Sequence, residues 1–193
     1  MPETPPSTEA EKLYENVVTI WSKVVDTQMH FNEMSAKSRQ LGLTFVAAAL
    51  GLAVFLLSRA DAKYEFDMVL HGHTVKLHVA EFVILAAAVA VYAVKLLDLD
   101  VYHKMLRGSV AFGEDLEETH LKRMLGLNKG MTQAISHFSR YSDASLSNSD
   151  GKQIYCGSKK MTASRKISGF YWVIIIALLT LAIIMFVILN DLL

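Results

Sequence analysis

Three long apolar stretches of this chain carry no charged side chain, and they limit what it can fold into more than any other feature of the sequence. The first is Leu41 to Leu57, LGLTFVAAALGLAVFLL, and the third is Gly169 to Leu189, GFYWVIIIALLTLAIIMFVIL. Between them lies Phe82 to Val94, FVILAAAVAVYAV, which reaches back to Leu77 if Glu81 sits at an interface. A helix needs about 20 mostly apolar residues to cross roughly 30 Å of hydrocarbon. The third run meets this outright, and the first meets it with its Gln40 and Ser58 flanks. The second is short enough to be a buried helix of a soluble core, but its pairing with the first across a short connection favours a membrane hairpin. The chain is 52% hydrophobic, with 19 basic and 19 acidic residues. That is too apolar for a disordered chain and too balanced for a wholly basic nucleic-acid-binding domain. The single cysteine, Cys156, leaves no internal disulfide framework and no zinc site of paired cysteines.

Charge placement predicts the orientation. The chain opens MPETPPSTEAEKLYEN, acidic where a secretory signal would be basic. The connection from Arg59 to Lys76 carries three basic residues, Arg59, Lys63 and Lys76. The stretch Lys95 to Lys166 carries twelve, five of them (Lys152, Lys159, Lys160, Arg165 and Lys166) in its last fifteen residues. The positive-inside rule then places 1–40 and 95–168 in the cytoplasm, with the short connection and the C-terminus outside.

The expected class is an all-α membrane protein with three transmembrane helices. Residues 1–40 form a long cytoplasmic amphipathic helix, and 41–98 a transmembrane hairpin carrying a short external β-hairpin at 59–76. Residues 99–168 form a small cytoplasmic helical region with a basic linker, and 169–193 the C-terminal transmembrane helix. Thr8 and Glu11 fit a capping box behind Pro5 and Pro6. From there Leu13, Val17, Ile20, Val24, Phe31 and Met34 recur at helical spacing, beside a stripe of Tyr14, Val18, Trp21 and Val25. The helix is acidic, unlike interfacial helices, so it packs against its own chain or a sister subunit. In YEFDMVLHGHTVKLHV, two alternating segments flank His71-Gly72-His73, a hairpin signature. His71, His73 and His78 lack the cysteine or carboxylates of a metal site, and no metal or cofactor is expected. A second helical stretch runs from Asp98 to Leu127, weakened at Gly108 and Gly113, and a shorter one from Met131 to Tyr141. The polar segment SDASLSNSDGKQIYCGSKKMTASRKISG reads as a linker. Its basic end admits two readings: anchoring against anionic lipid, or capture of a phosphate-bearing ligand by Lys152, Lys159, Lys160, Arg165 and Lys166.

Nothing in the chain spells catalysis. Gly151-Lys152 lacks the upstream glycine of a phosphate-cradling loop, and no spacing places a nucleophile beside a base. The cluster Glu114, Asp115, Glu117 and Glu118 lies one to two turns from Lys122 and Arg123, as salt-bridged surface would. An enzyme is not expected. Small residues at i, i+4 (Ala47 with Gly51, Ala86 with Ala90) suit close helix approach. In the third run Val173, Ile176, Thr180, Ile184, Val187 and Asp191 share one stripe. Several copies turned inward would make a narrow apolar pore with an acidic outer ring; the competing reading is a lipid-facing anchor.

Two blocks, LYENVVTIWSKVVDTQMHFNEMSAKSRQLGLTFVAAALG (Leu13 to Gly51) and LDLDVYHKMLRGSVAFGED (Leu97 to Asp115), carry a resemblance. Over about a third of the chain they resemble small multi-pass bacterial membrane effectors of anti-phage defence operons, of the Hailong and CBASS-like types, which partner with nucleotidyltransferases. The resemblance implies a homo-oligomeric inner-membrane pore, a tetramer in the Hailong type, gated by an oligonucleotide or cyclic nucleotide made by the partner enzyme. It implies depolarisation of the membrane in abortive infection. A non-conducting scaffold that recruits a soluble partner through the N-terminal helix is the alternative.

Overall fold

The computed structural model describes residues 8–59, 64–70, 73–149, 152–160 and 162–190. Helix α1 spans Glu9–Leu57, strand β1 Glu65–Leu70, strand β2 His73–His78 and helix α2 Val79–Leu96. A π-turn at Leu97–Tyr102 leads into α3 (His103–Leu116), and a second at Glu117–Leu121 into α4 (Lys122–Leu125). Then follow α5 (Met131–Arg140), β3 (Ser145–Ser149), β4 (Lys152–Cys156) and α6 (Ala163–Leu189). Among the described residues three helical stretches, Glu9–Leu57, Val79–Leu125 and Ala163–Leu189, are long and apolar enough to cross a membrane.

α1 starts where the capping box places it: the Thr8 backbone N–H donates to Glu11 Oε2 at 2.7 Å and the Glu11 N–H to Thr8 Oγ1 at 3.4 Å. It does not stop at the edge of the first apolar run. Residues 35–40, SAKSRQ, hold neither Pro nor Gly, so no residue breaks the helix between its polar and apolar parts. β1 and β2 pair antiparallel from Glu65 opposite His78 to Leu70 opposite His73. The hairpin thus lies nearer α2 than expected, and its His71-Gly72 turn falls outside the described residues.

The all-α expectation needs one correction. The segment read as a linker contains a second antiparallel hairpin, β3 with β4, from Ser145 opposite Cys156 to Ser149 opposite Lys152. The Asp150-Gly151 pair between the strands is a strong hairpin signal, set here among serines that masked it.

The chain divides into two compact units, Met1–Met34 with Tyr102–Arg165, and Ser35–Val101 with Lys166–Leu193. In the second, apolar unit the core is built from Ala49, Ala53 and Leu56 of α1, Ala80, Ile84, Ala87, Ala88 and Val91 of α2, and Tyr171, Ile175, Leu178 and Ala182 of α6. Lipid tails are as apolar as leucine, so close approach at small residues, and not exclusion of water, joins membrane helices. The alanines doing this here lie one or two positions from those expected: Ala47, Gly51 and Ala86 are exposed. At Gly42 a Cβ would come within 3.3 Å of Val94 Cγ1, so α1 and α2 approach closely there.

In the first, polar unit Val17, Trp21, Val24, Gln28 and Phe31 of α1 turn inward at spacings of four and three. Leu13 and Ile20, expected on this seam, are instead 59% and 46% exposed. Gly113, Glu117 and Leu121 are the buried residues of the facing rod. Four residues of an ordinary helix overshoot a full turn by about 40°, so a strict spacing of four drifts off the seam. The wider π-turn at Glu117–Leu121 absorbs that drift. α4 ends at Gly126, whose φ of 63° is the left-handed cap that glycine adopts without strain.

Candidate functional site

Each unit contains one carboxylate with no exposure to solvent, and both lie in π-turns: Asp98 in the apolar unit and Glu117 in the polar one. A buried charge persists only where it is paired or fully hydrogen-bonded, and both are.

Asp98 draws three helices together. Its Oδ1 accepts from the Ser35 hydroxyl, and its Oδ2 accepts from Arg39 Nε at 2.8 Å and from the Tyr171 hydroxyl at 2.9 Å. Arg39 Nη2 also donates to Ser35 Oγ at 2.7 Å, which closes a ring of contacts. Ser35 and Arg39 belong to α1, Asp98 follows α2, and Tyr171, 1% exposed, lies on α6. Both carboxylate oxygens are engaged, so the cluster ties α1, the segment after α2 and α6 together. Beside it, Lys95 Nζ sits 4.8 Å from the Trp172 ring centroid and 5.3 Å from that of Tyr92. At the far end of the same unit the Asn190 side chain pairs with both backbone groups of Lys76, at 2.8 and 2.9 Å. Arg39 to Arg59, His78 to Asp98 and Tyr171 to Asn190 each cover about 30 Å at 1.5 Å per residue. This matches a hydrocarbon layer between two polar, aromatic ends.

The residues expected to line a pore can be placed on α6 as far as Val187. At about 100° per residue, Val173, Ile176, Thr180, Ile184 and Val187 centre on the side opposite Tyr171, Ile175, Leu178 and Ala182. The first four are exposed and Val187 is half-buried. Only 17% of the most apolar stretch of α6 is buried within the chain. Asp191 lies outside the described residues.

In the polar unit Glu117 Oε1 accepts from Trp21 Nε1 at 2.9 Å and from the Thr132 N–H at 2.8 Å, while Oε2 accepts from the Gln133 N–H at 3.0 Å. The carboxylate therefore caps α5 and favours the positive end of its dipole. The acidic cluster is thus only partly the salt-bridged surface expected. Glu118 meets Lys122 at 2.7 Å and Glu114 meets Arg140 at 3.0 Å, but Glu117 turns inward.

The predicted ligand cations fall on separate elements. Lys152 begins β4, Lys159 and Lys160 follow its other end, and Arg165 and Lys166 lie in the first turn of α6. All five are exposed, and none pairs with a carboxylate among the described residues. The Lys159–Lys160 loop is well fixed. The Ser158 hydroxyl and then the Lys159 and Ser158 N–H groups bond Asp143, holding its carboxyl down to about 2, and Tyr141 bridges to Lys160. Nearby, the His137 ring lies 4.9 Å from Tyr141 and 5.3 Å from Tyr155, and Lys129 Nζ sits 5.1 Å from the Tyr155 ring.

Neither Asp98 nor Glu117 stood out in the sequence as a buried carboxylate, because their partners lie far along the chain. The available signal was Asp98 itself, an acid beside an apolar run, matched by Arg39 before the first run and Tyr171 at the start of the third. Compared with protein-family models, with curated proteins and with solved structures, the chain gives no match.

Proposed function

We propose that this chain is the subunit of a homo-oligomeric pore in a bacterial inner membrane. The three long helices cross the bilayer with the N-terminus in the cytoplasm, and the α6 stripe turns toward a central path. The observation that carries this reading is the placement of Val173, Ile176, Thr180, Ile184 and Val187 opposite the face that α6 buries in its own chain. Such a surface is free for sister subunits, and its one hydroxyl, Thr180, interrupts an otherwise apolar wall that can gate by dewetting. The excess of Lys and Arg in 95–168 supports the orientation.

The finer reading is an anti-phage effector gated by an oligonucleotide or cyclic nucleotide from a partner nucleotidyltransferase. It rests on the family resemblance and on five exposed cations, Lys152, Lys159, Lys160, Arg165 and Lys166, that pair with no carboxylate among the described residues. A second reading, a non-conducting scaffold, is favoured by the uncovered first turns of α1, where Leu13 and Tyr14 are exposed.

The test is ion flux from liposomes holding wild type, Thr180→Leu or Asp191→Asn, with and without added oligonucleotide. A pore changes its flux with either substitution, and replacing the five cations with alanine flattens the salt dependence of oligonucleotide binding. Verified oligomers that never conduct would move the assignment to the scaffold.

A further inference from the structure

The hairpin of β1 and β2 has two unlike faces. Side chains alternate across a strand, and directly opposed residues of paired strands share a face. The register therefore puts Phe66, Met68, Val75 and Leu77 on one side and Glu65, Asp67, Thr74 and Lys76 on the other. On the first side Phe66 and Met68 are 53% and 47% exposed, and Val75 and Leu77 are half-buried. The second side is polar and exposed apart from Val69 and the buried His78, and it sets Asp67 opposite Lys76. A two-stranded hairpin is marginal by itself, so its apolar face needs a cover.

Two fixtures hold this hairpin at the level where the helices end. β2 passes into α2 with no residue between them, and His78, its last residue, caps the helix by accepting from the Ala80 N–H at 3.1 Å. Two residues back, both backbone groups of Lys76 are bonded by Asn190, which follows the last turn of α6. Tyr64, just ahead of β1, packs on the apolar core of the same unit. Outside its hydrocarbon, a bilayer has about 5–7 Å of headgroup layer on each side. At about 3.3 Å per strand residue, Leu77 and its partner Phe66 stand one residue beyond His78 and so fall within that layer. Val75 and Met68 stand two residues further, about 10 Å from His78 along the strand, and enter the layer as the strand leans over the surface.

We infer that this hairpin docks on the membrane surface, turning Phe66, Met68, Val75 and Leu77 into the headgroup layer and leaving Asp67 and Lys76 in water. The occupant of the apolar face is lipid, because chain continuity at His78 and the Asn190 tie both place that face at the bilayer edge. An amphipathic element held there buries its apolar side at the boundary of headgroups and acyl chains. The inference rests on the membrane reading of α2 and α6 and is independent of the pore.

Nitroxide labelling of the full-length protein tests it, in vesicles of phosphatidylethanolamine and phosphatidylglycerol with Cys156→Ser as background. Phe66→Cys, Met68→Cys, Asp67→Cys and Thr74→Cys each carry one label, at exposed positions where folding is not at risk. Collisions with dissolved oxygen, which concentrates in lipid, are compared with those of a nickel chelate confined to water. The ratio of oxygen to nickel collisions should be severalfold higher at Phe66 and Met68 than at Asp67 and Thr74. Equal ratios on the two faces, as for a hairpin standing clear in water, overturn the inference. Shielding from both reagents at Phe66 and Met68 means a protein cover and also overturns it; spectral broadening that fades on dilution with unlabelled copies names that cover as a sister subunit. A fifth label, Val89→Cys on the exposed side of α2, separates the two readings. Nickel access at Val89 would defeat the membrane reading and the inference together. A nickel-shielded Val89 beside water-exposed Phe66 and Met68 would defeat the docking of the hairpin alone.

Discussion

Replacing Asp98 should loosen the apolar unit at one end, and the size of the loss can be worked from its contacts. Asp98→Ala strands the Ser35 and Tyr171 hydroxyls without their acceptor and leaves Arg39 without its counter-charge. Between membrane helices a side-chain hydrogen bond averages only about 0.6 kcal/mol, so the two hydroxyls account for about 1 kcal/mol. Stranding one partner of a buried ion pair costs about 3–5 kcal/mol. Arg39 is 34% exposed and can turn toward water, so that figure is discounted by about half. The expected loss is about 3 kcal/mol for Asp98→Ala and about half that for Asp98→Asn, which keeps an acceptor oxygen. Removing both charges in Asp98→Leu/Arg39→Leu should recover most of the loss, because no uncompensated ion remains. Reversible unfolding in mixed micelles, followed by tryptophan fluorescence, measures these proteins together with the singles Asp98→Leu and Arg39→Leu, and the double-mutant cycle built from those two isolates the coupling. Single variants within about 0.5 kcal/mol of wild type, or a double variant showing the plain sum of the singles, would refute the clamp.

Three further outcomes follow from the geometry. A Cβ at Gly130 would lie 2.6 Å from Glu117 Cγ and collide with its carboxylate, so Gly130→Ala should destabilise the polar unit by about 2 kcal/mol. Gly51→Ala meets nothing within 4 Å and should be neutral or mildly stabilising; thermal unfolding of the two variants compares them. The Asp143 carboxyl titrates at about 2 against an ordinary 3.8, so its contribution is present above about pH 4 and is lost as pH falls toward 2. Amide exchange at Ser158 and Lys159 should therefore accelerate across that window, and Asp143→Asn should abolish the dependence. Asn190→Leu removes both bonds to the Lys76 backbone, and at about 1 kcal/mol the Lys76 amide should exchange about fivefold faster; an unchanged rate would refute the pairing.

The sequence announced its helices where composition alone decides the outcome. Residues 169–189 without a charge have few fates, and Thr8 with Glu11 caps a helix by local chemistry. Local cues failed where two signals overlapped. The change from polar to apolar at residue 40 marks a change of surroundings, not a helix end, and α1 runs through it because nothing in 35–40 disfavours helix. Asp150-Gly151 marked a hairpin, but serines outweighed Leu146, Ile154 and Tyr155 as a composition signal. The polar clusters were hidden for a different reason. Asp98 bonds residues 63 and 73 positions away, and Glu117 bonds one 96 away, and no periodicity within a helix encodes such partners.

The two ends of α6 bear on how a pore built from it could move. Tyr171, about two turns into the helix, ties it to Asp98, and Asn190 just past its end ties it to β2 through a pair of bonds. Between them Ile175, Leu178 and Ala182, with Ile174 and Met185 beside them, pack α6 against α1 and α2. A rotation of α6 that turned Thr180 away from a central path would have to break the tie at Tyr171 or at Asn190. The tie at Asn190 is exposed and worth about 1 kcal/mol, while Asp98 is fully buried and holds three partners. Opening by rotation of α6 alone would therefore pivot about the Asp98 end and release the Asn190 end first. In the proposed pore, gating that left the Asn190 tie intact would instead require the three helices to tilt as one body, with interfaces between copies absorbing the movement.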